Sequence, residues 1–191
     1  MLHFCNRKFF SKSFLALFFC TILIFSSSHI NDSFTNKANA QTCTSNLPTS
    51  SATASGFDTG KPPSNAIDNN FGTRWANPLI GSWIGVDLGS TKSICSVDIA
   101  WYNGNQRQYH FVIATSTDGT TFTNKFSGDS SGTTLNSEKY TFASTNARYV
   151  RVTVNSNTQN SYATLYELDV FGPSVGSLSF ISNLTYPGYV S

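Results

Sequence analysis

The stretch "YHFVIATSTDG", residues 109–119, decides the fold. Its side chains alternate with a period of two until Asp118-Gly119, a pair favoured in tight hairpin turns. A helix would need apolar residues every three or four positions, and that pattern is nearly absent from the whole chain. The same alternation recurs on either side. In "SWIGVDLG" (82–89), Ile84, Val86 and Leu88 oppose Trp83, Gly85 and Asp87. In "SICSVDIAWY" (93–102), Ile99 and Trp101 share a face with Cys95 and Val97, so Trp101 is expected to point inward. "TFTNKFSG", "EKYTFAS", "ARYVRVTVNS" and "ATLYELDVFG" follow at short spacing, divided by Gly, Ser, Asn and Thr. About eight short strands joined by polar turns predict an all-β chain, an antiparallel β-sandwich in which alternate side chains fill the space between two sheets.

The N-terminus has a different composition. Arg7, Lys8 and Lys12 precede the apolar run Phe14 to Phe25. That run is too short for a bilayer-spanning helix, which needs roughly 20 residues. The combination reads as a secretory signal peptide over residues 1–40, with cleavage after Ala38-Asn39-Ala40 or, alternatively, after Ser26-Ser27-Ser28. A retained membrane anchor is the other reading. Residues 41–172 form the expected domain. Residues 173–191 are read as an edge strand, a linker or the start of a further module, and they carry the sequon Asn183-Leu184-Thr185. The expected location is outside the cytoplasm, secreted or at the cell surface.

Setting the leader aside changes the charge. It holds four of the twelve basic residues and one of the ten acidic ones, which leaves eight against nine. The slight basicity of the full chain therefore belongs to the leader. No Lys/Arg run or basic helix follows, so nucleic acid is not an expected partner. Outside the leader stand two cysteines, Cys43 and Cys95, and one histidine, His110. An isolated cysteine pair in an exported protein most often forms a disulfide; two buried thiols are the alternative. A bridge here would close a loop of about fifty residues and stabilise by roughly 3–4 kcal/mol on the chain-entropy model. These three residues cannot make a Cys/His zinc site.

Against this sparing use of charge, "NAIDNNFGTRW" (65–75) concentrates oxygen donors. Asp68, Asn69, Asn70 and Thr73 offer carboxylate, amide and hydroxyl oxygens, the ligand types that Ca²⁺ takes. The spacing is not that of an EF-hand. By composition alone the loop reads rather as an Asx-rich turn bonding its own backbone. A carboxylate from a distant segment would favour a cation, and Glu167 in "YELDVFG" is suitably placed.

"SATASG", "AIDNNFGTRW", "SWIGVDLGS", "TSTDGTTF", "ARYVRVTV" and "YELDVFG", taken in order over residues 45–172, resemble the discoidin, or coagulation-factor type C, superfamily. Within it the chain is most similar to family 32 carbohydrate-binding modules. The resemblance implies a jelly-roll β-sandwich, in agreement with the strand reading. It also implies a structural calcium ion held by the Asp68 carboxylate, Thr73, Glu167 and the carbonyls of Ala66, Asn70 and Tyr166. The glycine usual after the aspartate is Asn69 here, and asparagine tolerates left-handed backbone well. Trp75 is then expected in the core below the loop, and Arg74 beside it as a solvated neighbour or an anion contact.

The resemblance implies a sugar site in the loops at one end of the sandwich, built on an aromatic platform. Sugar C–H faces stack on rings while amides and guanidinium groups satisfy the hydroxyls. The matching positions are Asn77, then Tyr102, Asn103, Asn105 and Arg107 in "WYNGNQRQY", then Asn160 and Tyr162. Galactose-binding members often carry histidine where Ala76 stands, which counts against galactose. Arg107, with Arg74 and Lys61, points instead to an acidic sugar, because guanidinium groups pair well with carboxylates. Modules of this type occur beside polysaccharide lyases. No nucleophile elbow or paired catalytic carboxylates are recognisable, so the chain is not expected to be an enzyme. The competing reading is an adhesion module for a surface protein or phospholipid. The loop "NPLIGS" offers only Leu79 and Ile80 as apolar spikes, which argues against membrane docking. A monomer is expected.

Overall fold

The computed structural model describes residues 42–174, so the leader, Gln41 and the tail from 175, with its sequon, lie outside the described residues. The elements are β1 (Thr42–Leu47), β2 (Ser51–Ala54), a 3₁₀ turn (Pro63–Ala66), β3 (Trp75–Asn77), β4 (Trp83–Trp101), β5 (Tyr109–Ser116), β6 (Thr123–Asp129), β7 (Glu138–Asn157) and β8 (Ala163–Ser174). Every described strand pair is antiparallel, and one hydrogen-bonded path runs β1-β8-β4-β7-β5-β6.

That path folds on itself into a jelly-roll sandwich because β4 and β7 each serve both layers. The pairs Trp83↔Thr153 to Asp87↔Tyr149 lie in one layer with β2, β5 and β6. After a register shift between Asp87 and Lys92, the pairs Lys92↔Ala147 to Ile99↔Glu138 continue in the other layer, beside β8 and β1. Such irregularities bend a strand and increase its twist. "SWIGVDLG" and "SICSVDIAWY" are thus one strand where the sequence predicts two, and "EKYTFAS" with "ARYVRVTVNS" likewise forms β7. The breaks legible in sequence are bends, not ends. At the C-terminus β8 continues to Ser174, where Pro173 and Ser174 pair with Cys43 and Thr42.

Alternation places Ile84, Val86 and Leu88 inside, with Phe111 and Ile113 of β5 and Val150, Val152 and Val154 of β7. Trp75 and Trp101 are fully buried, as the sequence reading requires. Trp101 stacks on Tyr109 at a centroid distance of 4.7 Å, and its Nε1 donates to the Tyr140 hydroxyl at 2.9 Å. Trp75 Nε1 donates to the Gly56 carbonyl at 3.0 Å. Each indole therefore buries its ring without stranding its N–H, which would otherwise cost free energy. His110 lies on the exposed side of β5, with Nδ1 2.8 Å from Asp129. Cys43 and Cys95 are joined, with Cα atoms 5.8 Å apart. The bond links edge strand β1 to central β4 across the intervening β8, closing the N-terminal arm onto the sandwich.

Candidate functional site

Two neighbouring features at the β3–β8 end of the domain have the chemistry of a site. The first is the loop from Ile67 to Arg74. Asn69 adopts φ +57°, the left-handed conformation that asparagine tolerates. This turns the chain so that the Asn70 N–H faces two carboxylates, Asp68 Oδ1 at 3.0 Å and Glu167 Oε1 at 2.8 Å. The Thr73 hydroxyl lies 2.8 Å from Asp68 Oδ2 and 2.9 Å from the Asn70 carbonyl. The Asn70 side-chain carbonyl accepts from Gly72 N at 2.9 Å. The loop is therefore an Asx-rich turn, yet that description leaves Glu167 unexplained.

Glu167 is only 3% exposed. Burial first, and then the Asp68 carboxylate beside it, push its carboxyl up to about 7. Among the described residues no lysine, arginine or histidine pairs with either acid. A buried carboxylate held next to a second one, with a hydroxyl and a carbonyl oxygen alongside, is a donor set suited to a hard divalent cation. Tyr166 falls in the register shift between Ala100↔Glu167 and Trp101↔Leu165, which leaves its backbone outside the ladder beside Glu167. Ala66, fully buried, ends the 3₁₀ turn that leads into the loop. The six residues expected to hold a cation thus lie on the loop, its lead-in turn and the adjoining stretch of β8, and they fit one chemically.

The second feature is a cleft of about 250 Å³. Tyr102, just after β4, forms its platform. The Arg74 guanidinium lies 4.1 Å over the Tyr102 ring and that of Arg107 lies 5.3 Å from it. Lys61, Asn160, Tyr162 and Thr164 complete the lining, with Ala76 in the wall. Three cations share the cleft, and Lys61 alone is ion-paired among the described residues, to Asp58.

The turn after β4 explains how Arg107 returns to this platform. Asn103 sits at φ +50°, and its carbonyl accepts from Gln106 N at 2.9 Å and Arg107 N at 3.1 Å. Gly104 is required here: a Cβ would stand 2.6 Å from the Thr134 carbonyl. Arg107 ends only 8% exposed, and its Nε has no hydrogen-bond partner. A buried guanidinium N–H without an acceptor is costly unless something supplies one. Below it, the buried Tyr109 hydroxyl donates to the Tyr102 carbonyl at 2.7 Å, fixing the platform from behind.

Of the residues expected to touch a ligand, Tyr102, Arg107, Asn160 and Tyr162 line the cleft together. Asn160 spends its Oδ1 on Asn157 and on Tyr162 N, so its NH₂ is the group left to offer. Asn103 serves the turn, and Asn105 is exposed beside it, outside the lining. Asn77 is 7% exposed in β3, packed against Gly56, and does not reach the cleft. Thr164 was not legible in sequence as a lining residue: its hydroxyl donates to the Trp75 carbonyl from inside β8. Of the two apolar loop residues, Leu79 is 66% exposed while Ile80 packs against the core.

The family model for the F5/8 type C domain matches residues 48–168, spanning both features. The chain belongs to the F5/8 type C domain family. Among solved structures, this F5/8 type C domain is similar to a family 32 carbohydrate-binding module of AlyQ in complex with 4,5-unsaturated mannuronic acid. The identity is 39%, over 67% of this chain and 98% of that one, with a TM-score of 0.65. A truncated AlyQ with that module and alginate lyase domains is 37% identical over 71% of this chain, at a TM-score of 0.67, and 35% of its length is covered. A pectin-binding carbohydrate-binding module is 28% identical over 65% of this chain and 91% of its own, with a TM-score of 0.62. No curated protein sequence matches the chain. Among the described residues, no helix is long and apolar enough to cross a membrane.

Proposed function

We propose that this F5/8 type C domain is an exported, non-catalytic carbohydrate-binding module that recognises a uronate-containing polysaccharide through the cleft over Tyr102. The observation that carries this reading is the convergence of Arg74 and Arg107 on one aromatic platform, with Lys61 in the same lining. A sugar ring stacked on Tyr102 would present its hydroxyls to Asn160 and its carboxylate to a guanidinium. The AlyQ module, described in complex with an unsaturated mannuronic acid, and the pectin-binding module support a uronate as the sugar class. Ala76 keeps the cleft wall small at the position where galactose-binding members of the family often carry a histidine.

A structural calcium ion belongs to the same reading. Asp68, Glu167 and Thr73, with carbonyls of Ala66, Asn70 and Tyr166, would hold it. Bound there, the ion supplies positive charge that ties the loop to β8, next to Arg74 of the cleft. The protein is taken to act as a monomer without chemistry of its own, its leader removed on export.

The direct test is a polysaccharide array probed with the full chain displayed multivalently, with calcium present, because modules of this size bind weakly one at a time. Selective capture by mannuronate- or galacturonate-containing polymers is expected. Capture by neutral glycans alone would refute the acidic specificity, and a blank array from folded protein would redirect the search to a protein partner.

A further inference from the structure

A second groove, of about 340 Å³, lies on the outer face of the layer formed by β2, β4, β7 and β5, and shares no residue with the end cleft. Its construction follows from strand register. On β7, Val150, Val152 and Val154 fill the core, so Tyr149, Arg151 and Thr153 stand on the outer face. Arg151 pairs with Gly85 of β4, and Trp83 pairs with Thr153. With no side chain at Gly85, the Arg151 guanidinium lies across the floor. It packs against two rings, 4.0 Å from that of Trp83 and 3.8 Å from that of Phe122.

This arginine is the one charged side chain of the groove with no hydrogen-bond or ion-pair partner among the described residues. Asp87 is engaged by Arg148, whose Nε and Nη2 donate to its two oxygens at 2.8 Å each. Asp118 accepts from the Thr120 and Thr121 N–H groups and the Ser116 hydroxyl, all at 2.8 Å. Among the described residues neither acid, nor any other, bonds Arg151, and its buried Nε has no acceptor. With two rings packed on the guanidinium, a ligand can meet it along its N–H edge. A planar carboxylate fits that edge. Trp83, Phe122 and Tyr149 provide apolar surface for the C–H groups of a ring attached to it.

We infer that this groove is a second binding site, taking a uronate residue of a polysaccharide chain with its carboxylate on Arg151. The choice of a uronate rests on the reading of the end cleft, while the groove rests on its own geometry. Two sites on different faces would let one domain hold two stretches of chain and gain avidity.

Trp83 gives the groove its own reporter. The other two tryptophans, Trp75 and Trp101, are fully buried, so acrylamide quenching of the full chain reads Trp83. A mannuronate oligosaccharide is expected to protect Trp83, and the same oligosaccharide with its carboxylates reduced to alcohols is not. Arg151→Gln should weaken the protection about tenfold, the loss of one charge-assisted contact. Gly85→Ala should weaken it too by filling the floor, in a space where the added methyl meets only ordinary contacts at 3.4 Å and beyond. Tyr102→Ala should leave it unchanged. Protection that is absent, that the reduced sugar reproduces, that survives both groove substitutions, or that Tyr102→Ala removes would overturn the proposal. Protection that persists while binding at the end cleft fails would instead refute the cleft reading and leave the groove standing.

Discussion

Arg107→Ala is expected to weaken binding of a mannuronate oligosaccharide at the end cleft by about a hundredfold, through loss of charge-assisted hydrogen bonds. The reason lies in how Arg107 is held. It is 8% exposed, its Nε lacks an acceptor, and its guanidinium sits 5.3 Å from the Tyr102 ring. A donor already desolvated and oriented loses little on meeting a carboxylate, and the planar fork gives two parallel contacts where an ammonium gives one. Arg107→Lys should therefore recover only a small part of the loss. Tyr102→Phe should bind nearly as the parent does, because the ring and not the hydroxyl forms the platform, whereas Tyr102→Ala should lose most binding. Chemical-shift titration of the Tyr102 and Asn160 amides measures this site separately from the Arg151 groove. Near-parental affinity in Arg107→Ala would place the ligand elsewhere.

The second large effect concerns stability. Chelating calcium is expected to lower Tm by roughly ten degrees, corresponding to about 3 kcal/mol when free calcium stands near a hundredfold above its Kd. Glu167→Gln should remove that calcium dependence. The two forms should also cross. With calcium present the parent is more stable, because the ion compensates two adjacent carboxylates. With calcium chelated, Glu167→Gln should be no less stable than the parent, since it removes a buried charge lying beside Asp68. Differential scanning calorimetry of both proteins, with calcium and with chelator, checks the crossing. A parent whose Tm ignores calcium would leave the loop as an Asx-rich turn and nothing more.

Much of this was legible in the sequence, for identifiable reasons. Alternation located the core because a strand shows each side chain to one face or the other, so Trp101 could be assigned inward from its neighbours alone. Asn69 could be read as left-handed because it stands where the resemblance places glycine, and asparagine tolerates that backbone. The bends of β4 and β7 were not legible, since a bulge and a turn use the same small polar residues. Side-chain convergence was harder still. Arg74 and Arg107 are 33 positions apart in sequence, and it takes both the loop before β3 and the turn at Asn103 to bring them to the Tyr102 ring. Asn77 shows the converse: its composition suits a ligand, but the short strand β3 carries it under Gly56. The Arg151 groove left no motif at all, because it arises from register, in the pairing of Arg151 with Gly85 across two strands.

The most direct test of the central claim compares two oligosaccharides that differ only at the carboxylate. The full chain would be titrated with a mannuronate oligosaccharide and with its carboxyl-reduced counterpart, following the amides of Tyr102, Arg107 and Asn160. Saturable shifts at those residues are expected with the uronate, and little change with the neutral sugar. Equal shifts with both sugars, or none at these residues with the uronate, would contradict it.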